Sequence, residues 1–161
     1  MKNVLVTGAT SGIGFDYVKK NLNKNYNFYL IGRDFSKLKE HIRNKRVKSK
    51  INFINFDFKK KIKTFNFKNI PKLDHVVLSA GVAKHNLIKN FDEKIFDEII
   101  NVNLIQTSKL ISFLFKKDKL NDHASIVVIS SISGHKMVFN FNYAYSISKA
   151  GLKAMVETLA C

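Results

Sequence analysis

Two segments of this 161-residue chain carry residue types that could do chemistry. The first, Thr7-Gly8-Ala9-Thr10-Ser11-Gly12-Ile13-Gly14, follows directly on an apolar run, Val4-Leu5-Val6. Gly8 permits a tight turn after a strand, Gly12 leaves room for a pyrophosphate to approach the backbone, and Gly14 allows close packing of the next helix. Backbone N–H groups at the start of that helix, with their partial positive charge, would face the phosphates. A P-loop is excluded, because no Gly-Lys-Ser/Thr follows. The second segment, Tyr145-Ser146-Ile147-Ser148-Lys149, puts a phenol and an ammonium group at i and i+4, on one face of a helix. A free tyrosine has a pKa of about 10, and making it tenfold more acidic takes about 1.4 kcal/mol of stabilisation of its anion. A lysine ammonium and an oxidised nicotinamide ring nearby would favour the phenolate. Tyr145 could then take a proton from an alcohol, or give one to a ketone. The two segments together imply hydride transfer between a nicotinamide dinucleotide and an alcohol or ketone.

These residues need elements to position them. Val4–Val6 reads as a buried strand and Gly12–Asn23 as a helix with Phe15, Val18 and Leu22 on one face. Asn27–Ile31 reads as a second strand, followed by a basic helix ending near Lys45, and Ile51–Phe56 as a third strand. Pro71 breaks the chain before a fourth strand, Asp74–Ser79. A helix is expected from Asn90, a candidate N-cap with Glu93 three residues on, continuing with a break toward Phe115. Ser125–Ile129 reads as a fifth strand and Tyr143–Ala160 as a last helix. Short apolar strands alternating with helices predict an α/β fold, a doubly wound parallel sheet of about five strands. Its ligand belongs at the carboxyl ends of the strands, where the marked residues fall. No internal repeat or low-complexity linker divides residues 1–161, so a single dinucleotide-binding domain is expected.

Cofactor choice should lie at the end of the second strand. An acidic residue there would bond the ribose hydroxyls of NAD and repel a phosphate. Gly32 and Arg33 occupy that place instead, and arginine offers a planar fork of donors suited to phosphate. NADP(H) is therefore preferred over NAD(H). The alternative leaves Arg33 as a solvated residue and Asp34 as a cap on the following helix.

The 28 basic and 12 acidic residues give a net charge of +16. Lysines cluster at Lys59-Lys60-Lys61 and from Lys37 to Lys50, yet no aromatic-basic module accompanies them, so solvated faces are favoured over a nucleic-acid surface. No apolar run approaches the roughly 18 residues of a membrane span. The one cysteine, Cys161, excludes an internal disulfide, and a cytoplasmic location is the default. His75, His85, His123 and His135 lack metal-ligand spacing and read as loop residues, so no metal is expected.

Thr-Gly, three residues, then Gly-x-Gly resembles the short-chain dehydrogenase/reductase family, in its compact rather than its epimerase-type branch. The resemblance extends to Ser79-Ala80-Gly81, similar to that family's Asn-Ala-Gly turn with Ser in the first place. It includes Val102-Asn103-Leu104, Ser130-Ser131 and Tyr145-xxx-Lys149, and so covers essentially the whole chain. It implies a Rossmann-like fold, Asp57 and the Phe58 backbone beside the adenine, and Lys149 on the nicotinamide ribose. Ser131, the second of its pair, would hold the substrate oxygen, and Asn103, mid-helix where asparagine has poor propensity, would be the fourth catalytic member, supporting a water linked to the lysine. The substrate would be a small carbonyl compound or alcohol, a 3-oxoacyl compound among the candidates.

Family members continue beyond the equivalent of Cys161 with another strand, a Pro-Gly turn, substrate-loop helices and an edge strand. The expectation is a fragment or a truncated homologue, with strand five left as an exposed edge. Family dimers and tetramers use the long fourth and fifth helices; with a downstream partner helix missing, assembly is not expected to be firm. Two other readings stand beside the oxidoreductase: a non-catalytic nucleotide-binding module and an RNA-associated basic protein.

Overall fold

The computed structural model describes residues 1–62, 65–85, 87–136 and 141–161. Five strands form one sheet: β1 (Lys2–Thr7), β2 (Tyr26–Gly32), β3 (Lys50–Asn55), β4 (Leu73–Leu78) and β5 (Leu120–Val128). Their order is β3-β2-β1-β4-β5. β1 pairs in parallel with both β2 and β4, and β2 with β3. The order reverses between β1 and β4, the topological point at which open α/β sheets bind their ligands, beyond the carboxyl ends of the strands. The α/β, doubly wound, Rossmann-like expectation is what this sheet forms.

The chain divides into two compact units. Residues 1–80 and 113–127 make up the first. Here Val4, Leu5 and Val6 of β1, Phe28, Leu30 and Ile31 of β2, and Val76, Val77 and Leu78 of β4 are all buried, as expected of parallel strands covered on both faces. Helix α1 (Gly12–Asn21) lays Phe15 and Val18 on this core, and Leu22 just beyond its end joins them. Helix α2 (Ser36–Ile42) adds Leu38. It stops three residues short of Lys45, so the cationic run 43–48 lies outside it. A chain of ring contacts, Phe56 to Phe65 to Phe67 to Phe113, packs elsewhere in this unit.

Residues 81–112 and 128–161 make up the second unit. Helix α3 (Glu93–Ile100) passes through a π-helical turn, Asn101–Ile105, into α4 (Gln106–Lys116). The expected break in the long helix is thus a widened turn rather than an interruption. Helix α5 (Tyr143–Leu159) presses Gly151 against the Leu104 side chain, so that any Cβ there would collide with it. Ser108 reaches Met155 at 3.1 Å, and Phe96 stacks on Tyr143.

Three expectations from the sequence are corrected. Asn90 does not cap α3: Ile88–Asn90 forms its own 3₁₀ turn, and Asp92 caps the helix by accepting the Ile95 N–H at 3.0 Å. β5 begins at Leu120, five residues before Ser125, because Asn121, Asp122 and His123 extend as edge-strand backbone despite their polarity. His123 therefore lies in a strand, not a loop, and His75 lies in β4, within the span expected of the fourth strand. Among the described residues no cluster of His, Cys, Asp or Glu could hold a metal, and no helix is long and apolar enough to cross a membrane.

Candidate functional site

The glycine turn is shaped by the ends of β1 and β4. Thr7, the last residue of β1, pairs with Ile31 on one side and Leu78 on the other. Its carbonyl accepts the Ser79 hydroxyl at 2.7 Å, and its Oγ1 accepts the Ala80 N–H at 3.2 Å. Gly8 follows at φ +67°, where a Cβ would stand 2.8 Å from the Ala80 nitrogen. Neither the backbone angle nor the space admits a side chain there.

Gly12 opens α1 at φ +53°, but a Cβ there would meet nothing within 4 Å. Open space thus lies directly at the helix start. Ser11 makes no side-chain cap to α1, and no acidic residue stands in the first turn. The first N–H groups of a helix have no partner within it, so this end offers donors and a positive dipole to an anion. Thr10 lies in the loop leading to this end, and Ile13, just inside the helix, is 60% exposed. Gly14 is buried beneath it.

At the end of β2 the Gly32 carbonyl accepts the Phe56 N–H at 2.9 Å, and the Arg33 carbonyl accepts the Asn55 side-chain amide at 3.0 Å. The Arg33 side chain is exposed. Asp34 accepts the Ser36 N–H at 2.9 Å, a bond that is the main cause holding its carboxyl below the ordinary range. The Asp34 carboxylate therefore ties down the approach to α2. Asp57 accepts the Lys59 N–H at 2.9 Å, and Phe58 is buried edge-on against Phe56.

In the second unit, Tyr145 and Lys149 lie one turn apart in α5, with the Lys149 ammonium 5.6 Å from the Tyr145 ring centre. Lys149 is buried, 4% exposed, and desolvation lowers its pKa from the ordinary lysine value. Its Nζ donates to the Ile129 carbonyl at 2.7 Å. Ser130 donates its hydroxyl to the Lys149 carbonyl at 2.9 Å, so the Ile129-Ser130 pair just after β5 holds this residue at both its side chain and its main chain. Ser131 caps the 3₁₀ turn Ile132–Gly134, its Oγ accepting the Ser133 N–H at 3.2 Å.

Asn103 sits at the centre of the π-helical turn and is fully buried. Its Oδ1 accepts the Val82 N–H at 2.8 Å, while its Nδ2 donates to the Val82 carbonyl and to Ser148 Oγ, each at 3.0 Å. A Cβ on Gly81 would lie 3.3 Å from Asn103 Oδ1 and 3.6 Å from Lys149 Nζ. The structure therefore gathers Gly8, Gly14, Ser79 and Ala80 in one unit, and Gly81, Asn103, Tyr145 and Lys149 in the other.

The family model described as short chain dehydrogenase matches residues 2–161. The chain belongs to the short chain dehydrogenase family. A 3-oxoacyl-(acyl-carrier-protein) reductase of Rickettsia felis is 32% identical over 163 residues, covering 99% of this chain and 65% of its own length. The corresponding protein of Buchnera aphidicola is 25% identical over 165 residues, covering 99% and 66%. Among solved structures, a short chain dehydrogenase family protein from Francisella tularensis superposes with a TM-score of 0.83 at 28% identity. It matches 99% of this chain and 63% of that one. The chain thus spans about two thirds of the length of these two curated relatives, 66% and 65%.

Sequence reasoning missed three contributors in this family member. Thr7 holds Ala80 by its hydroxyl, a role invisible without the strand order. Val82 meets Asn103 through main-chain atoms alone, which no side-chain pattern signals. Ser148 was legible in principle, as a hydroxyl on the helix turn that links Tyr145 to Lys149.

Proposed function

We propose that the chain is an NADP(H)-dependent oxidoreductase, moving hydride between the nicotinamide and a ketone or secondary alcohol, with Tyr145 as general acid and base. The observation that carries this reading is the buried Lys149 ammonium 5.6 Å from the Tyr145 ring centre. A cation so placed lowers the cost of the phenolate. The 3-oxoacyl reductases among the relatives make a 3-oxoacyl thioester the first substrate to try.

A dinucleotide fits the residues present. The uncapped start of α1, with open space over Gly12, suits a pyrophosphate, and Gly8, Thr10, Ser11, Gly12, Ile13 and Gly14 would hold it. Arg33 would pair with a ribose phosphate through its fork of donors. Asp57, Phe58, Ser79, Ala80 and Gly81 would flank the adenosine and the rest of the cofactor. A bound nicotinamide supplies or accepts the hydride. Ser131, whose oxygen already accepts the Ser133 N–H, would donate its hydroxyl hydrogen to the substrate oxygen. Tyr145 Oη would then pass a proton to that oxygen in reduction, or remove it in oxidation. Lys149 would hold the nicotinamide ribose and favour the phenolate, and Asn103 would keep the Val82 segment in place beside it.

The test is turnover of NADPH with a panel of ketones and 3-oxoacyl thioesters, alongside cofactor affinity. Tyr145→Phe should abolish turnover while changing NADPH affinity by less than about twofold. Full activity in that variant overturns the assignment. Binding without turnover in the parent chain instead favours a non-catalytic nucleotide-binding module.

A further inference from the structure

We propose that Ser148 is a positioning residue, whose hydroxyl couples the Asn103 amide to the main chain of Tyr145 and thereby fixes the phase of the Tyr145–Lys149 turn. The proposal rests on the functional reading above and adds a residue to it. Ser148 is fully buried on α5, at 0% exposure, where a hydroxyl is costly unless both of its bonding capacities are used. Both are used. Its Oγ accepts from Asn103 Nδ2 at 3.0 Å and donates to the Tyr145 carbonyl at 2.7 Å.

The Asn103 side chain has no hydrogen left for any other partner. One Nδ2 hydrogen goes to the Val82 carbonyl and the other to Ser148, while Oδ1 takes the Val82 N–H. The amide therefore works as a rigid connector between the Gly81-Val82 segment and α5. It reaches α5 at Ser148 because the π-helical turn Asn101–Ile105 widens the helix at that position, displacing its residues from α-helical register.

The bond to Tyr145 falls on its carbonyl, three residues back along the helix. Serine back-bonding of this kind adjusts the local helix path. It acts on the one turn that carries both the phenol and the ammonium. Lys149 is meanwhile pinned at Ile129 through Nζ and at Ser130 through its carbonyl. With Lys149 fixed from one side and Ser148 from the other, the Tyr145 ring has a defined place relative to the ammonium. Loss of the Ser148 hydroxyl leaves an Asn103 hydrogen buried without a partner and frees the turn to shift. Displacements of about 1 Å at reacting groups can cost on the order of a hundredfold in rate.

Three variants of the full chain separate a hydroxyl effect from a shape effect. Ser148→Ala deletes the group without adding bulk, while Ser148→Thr and Ser148→Val share one shape and differ in the hydroxyl. Each is assayed for kcat and KM with NADPH and a carbonyl substrate, and for NADPH affinity by fluorescence. Ser148→Ala and Ser148→Val should lower kcat roughly tenfold or more, with KM and cofactor affinity within about twofold, and Ser148→Thr should retain most of the parent kcat. Parent-level kcat in Ser148→Ala overturns the proposal while leaving the dehydrogenase reading intact. Equal losses in Ser148→Thr and Ser148→Val also overturn it, because shape would then be the cause. So does a fall in kcat matched by cofactor affinity, the mark of general loosening. If Ser148→Ala does not fold, the Thr and Val pair decides. A parent chain that turns over no carbonyl compound removes the functional reading first, and this proposal with it.

Discussion

Lys149 donates from Nζ to the main-chain carbonyl of Ile129 at 2.7 Å, twenty residues earlier in the chain. The bond holds an ammonium group where burial disfavours its charge, and desolvation accordingly lowers its pKa from the ordinary 10.5. Between the lowered value and 10.5 the unfolded chain binds more protons than the folded one, so this residue makes stability rise with pH across that window. Lys149→Met should lack that rise. Urea unfolding followed from neutral pH to about pH 10 should show the variant's relative stability falling as pH increases. A constant difference between the two proteins would contradict the burial penalty.

Gly8 and Gly12 both have positive φ yet face different surroundings. Gly8→Ala places a Cβ against the Ala80 backbone and should prevent stable folding, or lower Tm severely. Gly12→Ala meets open space, so its cost is the left-handed backbone alone, about 1–2 kcal/mol. It should fold, and it should bind NADPH at least about tenfold more weakly, since the new methyl would enter the open space proposed for a phosphate. Thermal melts paired with NADPH titration separate the two effects.

Arg33 is exposed at the end of β2, and the neighbouring Asp34 carboxylate is engaged by the Ser36 N–H. A charge-assisted bond from Arg33 to a phosphate is worth about 1.5–3 kcal/mol. Arg33→Ala should therefore weaken NADPH binding by roughly tenfold to a hundredfold and leave NADH nearly unchanged. Titration of both cofactors checks this, and equal or tighter NADH binding by the parent chain would refute the NADP(H) preference.

Asp74 joins the starts of β1 and β4, accepting the Asn3 N–H at 2.7 Å. That bond is the chief cause of its lowered pKa; burial opposes the lowering, and the Asn121 amide adds a smaller contribution to it. A carboxylate held below its unfolded value contributes stability above that value and loses it as pH falls through the folded one. Asp74→Asn should destabilise by about 1 kcal/mol at neutral pH, a figure limited by solvent screening, and the gap should close on acidification below the ordinary carboxylate range. Urea midpoints at neutral and acid pH measure it.

Much of the candidate site was legible because its signals are local. The Thr7–Gly14 run lies between a strand and a helix, and the i, i+4 spacing put Tyr145 and Lys149 on one face. Boundaries were less legible. Asn90 and Asp92 both have capping side chains, and only the intervening 3₁₀ turn at Ile88–Asn90 decides between them. The polar start of β5 reads as a loop because edge-strand backbone can be paired by a neighbour whatever its side chains. Ser130 and Ser131 are adjacent and chemically alike. The fold distinguishes them, giving one to the Lys149 carbonyl and the other to its own following turn.

The sequence by itself determined the alternation of strands and helices, the phosphate-suited turn and the phenol–ammonium pair. Each follows from backbone sterics or helical period over fewer than about ten residues. Tertiary structure alone decided the strand order β3-β2-β1-β4-β5, the anchoring of Lys149 at Ile129 and the Asn103 connection to Val82 and Ser148. Those partners are 20 to 45 residues apart, and their pairing satisfies buried polar groups. Such a choice is made only when the chain has folded and water is gone from around them.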